Sequence, residues 1–428
     1  MSRKDLEKLK VIVVGAGLGG LGVAISLLRI GHEVAILEAA QEIAEVGAGI
    51  QVLPNSARVL RSWGLEAALS RWATSPKQSN MINWKGELLT SWDFDEASKR
   101  YGAPFWDFHR ADLHRCLQDR VIELGGIIIC QSTVENVICD IEKQQATAIL
   151  QHGLRYTADL IIGADGINTK LRGVMTGHDV PPKPTGDLAY RLLLDASKVL
   201  ADPELAEFIL NPQVNTWLGP GAHIVNYVLR DEKLFNMVLC MPDDIPENVR
   251  VTHGNIDELK EYYKDWDPRI LKLIGFSTSA DKWKLCIREE LEHWYHPSGT
   301  FVLLGDAVHA TLPYLASGAG ITFEDGAVLG ECLSRIRSRS NIKHALKVYE
   351  KCRKLRTERI VERGNLQQYL AHLPDGEEQR ERDRKMQLIP TPPGEAFVWR
   401  DPELGPWLLG YDHVKDVDLR WEEVSANL

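Results

Sequence analysis

Hydrophobic positions near the N-terminus of the chain follow the pattern of a strand, then of a helix, then of a second strand. Residues 10–14 (KVIVV) form a short apolar, β-branched run that a glycine ends, which predicts a buried strand. The apolar stretch that follows and closes at Gly31 predicts a helix, and HEVAILEAA at 32–40 predicts a second strand. Together these elements have the size of a βαβ unit, about thirty residues. The N-terminal pattern therefore predicts the start of a parallel α/β sheet.

The pattern changes in the next part of the chain. Residues 55–72 predict a helix with Asn55 or Ser56 as its N-cap, and a second amphipathic helix is predicted from Arg110 onward. Between these two helices, residues 80–106 combine tryptophans with alternating polar positions. This alternation indicates sheet.

Apolar runs return in the middle of the chain and near residue 300. ADLIIGADG (158–166) and FVLLGDA (301–307) predict buried strands that enter glycine turns. Residues 180–295 are mostly strand-like and contain one helical insertion at 256–273, whereas residues 322–370 predict a long helical region.

These changes predict an α/β fold whose domains are discontinuous, with β-rich pieces inserted between α/β pieces. The predicted α/β domain comprises residues 1–75, 107–178 and 297–370. The predicted β-rich domain comprises residues 76–106 and 179–296. Residues 371–428 are polar and proline-rich, and we expect this C-terminal extension to run over the surface.

Composition and charge argue against several classes of partner. The 428 residues carry a formal net charge of −10 and no block of lysines or arginines, which argues against nucleic acid and anionic membranes. The seven cysteines are scattered and form no CxxC pair, so we expect no metal site and a reducing, cytoplasmic compartment. The N-terminal apolar segment contains five glycines and is a poor candidate for a membrane span.

A glycine motif lies between the first predicted strand and helix. Gly15, Gly17 and Gly20 form G-x-G-x-x-G, in which the first glycine permits a tight turn and the second allows a pyrophosphate to approach the backbone. The third allows the helix to pack closely on the strand. Glu38 ends the second strand, where its carboxylate can accept the ribose hydroxyls of a dinucleotide. An acid there predicts FAD or NAD at this site and argues against NADP.

The segment GDAVHATLPYLASGAG at 305–320 allows two interpretations. Asp306, His309 and Ser317 are the residue types of a hydrolase triad, whereas the glycines, alanines and proline are typical of a wall around a flat cofactor. No G-x-S-x-G elbow occurs in the chain, and no strand directly precedes Ser317. The segment therefore favours a cofactor pocket, and His309 is expected to be a packed histidine.

Four motifs in order resemble one enzyme family. They are GAGLGG with Glu38, RADL at 110–113, GADGINTKLR at 163–172, and the 305–320 segment with EDG at 324–326. This set is similar to the single-component flavin-dependent aromatic hydroxylases, in their salicylate hydroxylase-like and 6-hydroxynicotinate monooxygenase-like branch. The resemblance implies the fold of para-hydroxybenzoate hydroxylase, a Rossmann-like FAD-binding domain with an inserted β-rich substrate domain.

The resemblance also implies the cofactors and their contacts. In that family NADH or NADPH reduces non-covalent FAD without a second Rossmann domain, and we expect the same here; this sequence fits, since no second G-x-G-x-x-G follows a strand. Asp306 is expected at the ribityl or pyrophosphate part of FAD and Pro313 against the isoalloxazine ring. The other expected cofactor contacts are Gly49, Arg110, Asp165 and the helix start at Gly318, Ala319 and Gly320. Ser317 departs from the family, which usually has glutamine or glycine there.

The reaction implied is hydroxylation of a phenolic or N-heteroaromatic ring by O2 through a flavin C4a-hydroperoxide. A phenolate reacts more readily than a phenol, so the site needs a cation or hydrogen-bond donor near the phenolic oxygen. Arg191 lies in an apolar run, and strand alternation places His223, Val225 and Tyr227 on one face. The resemblance assigns Arg191 and Tyr227 to the substrate, with His223 as a further candidate. The alternative for Arg191 is a buried salt bridge.

Two rival functions share the cofactor motifs. An epoxidase of an indole or alkene would need no residues to hold a phenolate, and a non-catalytic binding protein, as in the Rab GDP-dissociation inhibitors, would lose the flavin-side motifs. The partners expected are therefore a small aromatic substrate, O2 and NAD(P)H, in a monomer or homodimer.

Overall fold

The structure is a computed structural model that describes residues 7–43, 47–178, 180–394 and 397–426, and the other residues of the predicted domains lie outside it. The strands are β1 (Lys10–Val14), β2 (Glu33–Leu37), β3 (Gly49–Val52), β4 (Gln78–Asn83), β5 (Leu88–Asp93), β6 (Trp106–His109), β7 (Ile127–Ile129), β8 (Val134–Asp140), β9 (Gln145–Leu150), β10 (Arg155–Ala158), β11 (Leu160–Gly163), β12 (Lys183–Asp195), β13 (Gln213–Gly219), β14 (Ala222–Leu229), β15 (Leu234–Pro242), β16 (Val251–His253), β17 (Asp281–Ile287) and β18 (Phe301–Leu303).

The helices follow the same chain order. They are α1 (Leu18–Arg29), α2 (Pro54–Ser62), α3 (Glu66–Leu69), α4 (Phe94–Tyr101), α5 (Arg110–Glu123), α6 (Arg172–Thr176), α7 (Ala196–Ala201), α8 (Glu207–Leu210), α9 (Ile256–Tyr262), α10 (Pro268–Gly275), α11 (Asp306–His309), α12 (Gly318–Leu333), α13 (Ile342–Ala371), α14 (Glu377–Met386), α15 (Leu404–Leu409) and α16 (His413–Ala426). A 3-10 turn spans Pro313–Leu315.

The apolar runs that end at glycines pair as a parallel sheet. Its strand order is β18-β11-β1-β2-β7, and β1 lies between β11 and β2 with Val11 paired to both Leu160 and Val34. Side chains of β1, β11 and β18 are buried almost throughout, as expected of parallel strands covered on both faces. Helix α1 packs on this sheet and against α5 and α12, and the antiparallel strands β8–β10 contact β1 and β11.

The strand-like regions at 78–93 and 183–287 form an eight-stranded sheet in the order β16-β17-β12-β15-β14-β13-β4-β5. Neighbouring strands are antiparallel except β13 and β4. Alternation along β12 buries Leu188, Tyr190 and Leu192 in one apolar core. Residues between them, Ala189 and Arg191, face a cavity on the other side of the sheet.

Two sequence-based expectations were wrong in detail. The predicted sheet at 80–106 is interrupted by α4, because Asp93 accepts hydrogen bonds from the backbone N–H groups of Asp95 and Glu96 and caps a helix. The helix expected to be capped by Asn55 or Ser56 begins instead at Pro54. Proline suits the first helical position, where its missing N–H removes no intrahelical hydrogen bond.

The C-terminal extension does more than cover the surface. It forms α14, α15 and α16, and Phe397 and Trp399 are buried in an aromatic cluster with Trp92, Phe94 and Phe105. Burial of these aromatic rings supplies the driving force for docking the extension, because each ring removes a large apolar area from water.

The longest described helix, α13, has 30 residues and carries charged side chains along its length. Within residues 7–43, 47–178, 180–394 and 397–426, no helix combines the length and apolar character needed to cross a membrane.

A fully buried ionic network joins α12 to α13. Arg353 on α13 contacts Glu324 at 2.8 Å and Asp325 at 2.7 Å, and all three side chains are 0% exposed. Arg356 adds two contacts of 2.8 Å to Glu324, and His309 contacts Asp325 at 2.6 Å. Although burial opposes ionisation, Arg356 and Arg353 lower the pKa of Glu324 to about 2. The network therefore fixes the position of α12 relative to α13.

Replacing Arg353 by alanine tests this network. Arg353→Ala leaves two carboxylates buried with fewer cationic partners, so we expect the free energy of unfolding to fall by about 3–5 kcal/mol. Arg384→Ala is the control, because Arg384 pairs with Glu381 at the exposed surface. Urea denaturation measures both variants, and equal, small losses of stability would contradict a structural role for the network.

Candidate cofactor and substrate site

A cavity of about 380 Å³ lies between the carboxyl ends of the parallel strands and one face of the eight-stranded sheet. Ten of the residues expected at the site line it: Gly17, Gly49, Arg110, Arg191, His223, Tyr227, Asp306, Pro313, Gly318 and Ala319. The carboxyl edge of a parallel sheet is where ligands bind in open α/β folds.

The glycine turn after β1 leaves space for a ligand at one position only. Gly15 has φ +99°, and a Cβ on it would lie 2.6 Å from the carbonyl oxygen of Ala164. A Cβ on Gly20 would lie 1.9 Å from the carbonyl oxygen of Gly15. A Cβ on Gly17, in contrast, would meet no protein atom within 4 Å and would project into the cavity. The turn therefore combines two tightly packed glycines with one that faces the N-terminus of α1, where free N–H groups favour phosphate.

The Glu38 carboxylate ties the end of β2 to this turn. It accepts hydrogen bonds from the backbone N–H of Ala16 at 2.7 Å and of Ala40 at 2.8 Å. Each carboxylate oxygen has a further lone pair, so Glu38 can also accept hydroxyl groups of a ribose.

Asp165 stands in the neighbouring loop after β11, beside cavity residues Ala164 and Gly166. Burial raises its pKa to about 6, and its Oδ1 has no hydrogen-bond partner among the described residues. A buried acceptor without a partner fits a site completed by a ligand that donates a hydrogen bond.

The 305–320 segment forms a wall and a helix start. Asp306 begins α11 with its carboxylate toward the cavity, and removal from bulk water raises its pKa. Pro313 begins the 3-10 turn and is exposed within the cavity. Gly318 and Ala319 form the first turn of α12, so the positive end of its dipole faces the same space. Gly320 does not line the cavity and packs against Ser56.

The histidine and the serine of this segment form hydrogen bonds with other residues and not with each other. His309 Nε2 contacts Asp325 Oδ2 at 2.6 Å, and the Ser317 hydroxyl donates to the carbonyl oxygen of Leu315 at 2.9 Å. No hydrogen bond joins His309 to Ser317 in the described part of the chain. The segment therefore does not form a Ser-His-Asp triad.

Arg191 has an aromatic partner on the substrate side of the cavity. Its guanidinium lies 4.8 Å from the centre of the Trp283 ring, and no carboxylate of the described residues lies within the 4.0 Å of a salt bridge. Burial and the positive charge of Arg110 lower the pKa of Arg191. A cation without a carboxylate partner can interact with an anionic ligand.

Tyr227 and His223 stand on β14 beside this cation. Tyr227 is 4% exposed, and burial, with Asp107, raises its pKa well above the usual value. Gly49 makes room for the phenol ring, because a Cβ there would lie 2.5 Å from Tyr227 Oη. His223 Nδ1 lies 2.7 Å from His372 Nε2, and burial lowers the pKa of His223 well below its usual value.

Several cavity residues were not predicted from the sequence. Phe397, Val398 and Trp399 of the C-terminal extension line the cavity, as does Tyr314, which stands next to Pro313. The cluster of aromatic residues within a polar, proline-rich region was a signal for the first group. Nothing in the sequence indicated that His372, at the end of α13, meets His223.

These residues together fit FAD. The N-terminus of α1 and Gly17 suit a pyrophosphate, Glu38 suits a ribose, and the exposed Pro313 with the start of α12 suits a flat ring that carries negative charge when reduced.

Replacing Gly17 by valine tests this fit. A Cβ at this position meets no protein atom within 4 Å, so we expect Gly17→Val to fold with the melting temperature of flavin-free wild type but to lose bound flavin, because valine occupies the pyrophosphate space. Gly275→Val is the matched control, since a Cβ at Gly275 also meets nothing and α10 lies outside the cavity. Flavin absorbance per folded protein measures both. Full flavin content in Gly17→Val would show that the turn has only a structural role.

Known proteins share these features. A family model described as an FAD binding domain matches residues 8–222. The FAD-dependent monooxygenase OpS4 of Beauveria bassiana (strain ARSEF 2860) is 38% identical over 420 residues, which cover 96% of this chain and 97% of that protein. The 3-hydroxybenzoate 6-hydroxylase of Polaromonas naphthalenivorans (strain CJ2) is 32% identical over 355 residues, which cover 82% of this chain and 86% of that protein.

A solved structure shows the same fold. The salicylate hydroxylase substrate complex matches with a TM-score of 0.80 at 24% identity, over 96% of this chain and 98% of that one. The expected fold, a Rossmann-like α/β domain with a β-rich substrate domain, is thereby confirmed. The chain belongs to the FAD-dependent monooxygenases of the aromatic hydroxylase type, and FAD is its cofactor.

Proposed function

We propose that this monooxygenase uses NADH or NADPH and O2 to hydroxylate a phenolic or N-heteroaromatic ring. The observation that carries the proposal is the position of Arg191, Tyr227 and His223 in the same cavity as Pro313 and the start of α12. The name of the similar 3-hydroxybenzoate 6-hydroxylase, whose substrate is a phenol, supports this substrate class.

The protein's part in the reaction is to bind and ionise the ring. Bound reduced flavin supplies the chemistry that activates O2 and delivers one oxygen atom. Arg191 stabilises the negative charge of a phenolate, which makes the ring more electron-rich. Tyr227 donates a hydrogen bond to the same oxygen, because its raised pKa keeps its hydroxyl protonated at neutral pH. The apolar walls, with Phe397 and Trp399, exclude water from the reacting atoms.

We propose that FAD is held non-covalently. His309, the histidine closest in sequence to the ring wall, is fully buried and bound to Asp325, so it is turned away from a covalent link. Cys240 lines the cavity, but burial raises the pKa of its thiol, which keeps it in the poorly nucleophilic protonated form. NAD(P)H then acts as a transient co-substrate, since the sequence has a single dinucleotide motif.

The polar side chains of Arg191, Tyr227 and His223 favour hydroxylation over epoxidation. An alkene substrate would leave Arg191, Tyr227 and His223 without a polar partner in a buried cavity, which is energetically costly. A phenolic or N-heteroaromatic substrate provides that partner. Epoxidation is therefore the weaker candidate.

Substitutions at Arg191 and Tyr227 test the proposal. With a panel of phenols, we expect Arg191→Ala and Tyr227→Phe to lower hydroxylated product per enzyme by roughly 10²–10⁴-fold, because each removes a contact to the charge of the reacting ring. Flavin content and melting temperature stay near those of the wild type, since Arg191 has no carboxylate partner to leave unpaired. Product mass and NADH oxidation are measured together.

Tyr190→Phe, on the same strand as Arg191, is the matched control. Its side chain is buried in the core on the other face of the sheet and its hydroxyl donates to Glu258, so turnover is expected to stay unchanged. Folded, flavin-loaded Arg191→Ala and Tyr227→Phe variants with normal hydroxylation would remove both residues from the site and favour the epoxidase.

A further inference from the structure

Gln367 on α13 lines the cavity with a side-chain amide that has no protein partner. The residue is 6% exposed, its Oε1 is buried without a hydrogen bond, and no described residue bonds to its Nε2. Its chain neighbour Gln368, in contrast, donates to the Asp187 carboxylate at 2.7 Å. A buried amide without a partner is costly, so its presence in a cavity wall points to a ligand that supplies the missing hydrogen bond.

The packing of α13 brings Gln367 to the cavity wall. Gly364 lies one turn before Gln367, and a Cβ on Gly364 would lie 3.5 Å from Thr311 Oγ1 and 3.9 Å from Leu312 Cβ. Thr311 and Leu312 line the cavity, and so does Ala371, one turn after Gln367. Residues spaced by three and four positions share one face of a helix. This face of α13 is therefore turned toward the cavity.

The amide of Gln367 presents its nitrogen to the cavity. Of its two polar atoms, Oε1 is enclosed by protein, whereas Nε2 keeps accessible surface. An amide NH2 group offers two N–H donors and no acceptor. The ligand group that completes this part of the cavity is therefore a hydrogen-bond acceptor.

The surroundings of Gln367 are apolar. Ala371 belongs to the same apolar cluster as Leu315, Phe397 and Trp399, and all four of these residues line the cavity. An acceptor that reaches Gln367 is therefore carried by a group whose carbon atoms can pack against apolar and aromatic side chains.

The charged side chains of the cavity have other tasks. Among the described lining residues they are Arg110, Arg191 and Asp306. Arg110 and Asp306 are expected at FAD, and Arg191 is proposed for the ring oxygen. A carboxylate beside Gln367 would then have no cation of the wall to pair with, and its burial would be costly. A neutral carbonyl oxygen accepts the N–H of Gln367 without that cost.

We propose that Gln367 is a specificity-determining residue whose Nε2 donates to a carbonyl oxygen on a substituent of the substrate ring. The substrate class is then an aromatic ring with a neutral acyl group, such as a ketone, an ester or an amide. The carbon part of this group packs against Ala371, Phe397 and Trp399. This inference rests on the proposed function, because it requires a ring held beside Arg191.

A pair of ligands with the same shape measures this contact. Flavin-loaded enzyme without NAD(P)H is titrated with hydroxyacetophenone and with isopropylphenol, in which a methyl group replaces the carbonyl oxygen. Both ligands are used with the substituent meta and para to the hydroxyl, and the change in flavin absorbance gives each Kd. We expect Gln367→Met to lower the preference for hydroxyacetophenone over isopropylphenol on the order of 10-fold, because methionine has no donor.

The change in this preference isolates the hydrogen bond from the acidity of the ligands. The acetyl group makes a phenol more acidic, but this effect is the same in wild type and variant. Because no described residue bonds to the Gln367 amide, we expect Gln367→Met to keep the flavin content of wild type and an equal or higher melting temperature. Asn365→Leu, at an exposed amide on the same helix, is the matched control and leaves the preference unchanged.

Three results would overturn the role of Gln367 or the ligand class. They are an unchanged preference in Gln367→Met, a loss of flavin or of melting temperature in that variant, and wild-type enzyme that binds hydroxybenzoate more tightly than hydroxyacetophenone. In each case, hydroxylation of any phenol by wild-type enzyme would leave the proposed function in place. Wild-type enzyme that hydroxylates no phenol would overturn the proposed function, and this inference with it.

Discussion

The close packing of α1 against α12 is the constraint on which the cavity depends. Both helices begin at the cavity, α1 directly after Gly17 and α12 at Gly318, and glycines let their backbones approach. A Cβ on Gly326 would lie 2.9 Å from the backbone nitrogen of Val23. A larger residue there would force the helices apart, and their positive ends would no longer face one cavity.

Helix α13 contacts both α12 and the 3-10 turn of the cavity wall, and it ends beside His223. Its Arg353 and Arg356 bind the carboxylates of α12, it contacts the 3-10 turn at Pro313–Leu315, and its last turn leads into His372 beside His223. Helix α13 therefore contributes both to the stability of the fold and to the positions of the site residues. A change in the packing of α13 alters the position of the ring wall and of His223 together.

Local patterns were sufficient to predict much of the fold and of the cofactor side. The strand at 10–14, the helix that follows and the alternation of His223, Val225 and Tyr227 were confirmed, because each depends on neighbouring residues. The turn that contains Gly15, Gly17 and Gly20 was predictable for the same reason, because its glycines lie in one continuous stretch of chain. Asp93 as a helix cap at 94–101 was missed because tryptophans and alternating polarity dominate that stretch.

Contacts between distant parts of the chain could not be predicted. His372 is separated from His223 by 149 positions, and it follows directly after a helix whose pattern indicates only length and amphipathicity. Phe397 and Trp399 line the cavity and pack against Trp92, a contact that no local period reveals. The substrate side of the cavity is therefore a product of tertiary packing.

The most direct test of the account is a crystal structure of the enzyme with FAD and a bound phenol. The account predicts the pyrophosphate at Gly17 and the N-terminus of α1, with the flavin ring against Pro313. It also predicts the phenolic oxygen within hydrogen-bond distance of Arg191 and Tyr227 Oη. A flavin ring placed away from Pro313, or a phenolic oxygen directed toward Phe397 and Trp399, would contradict it.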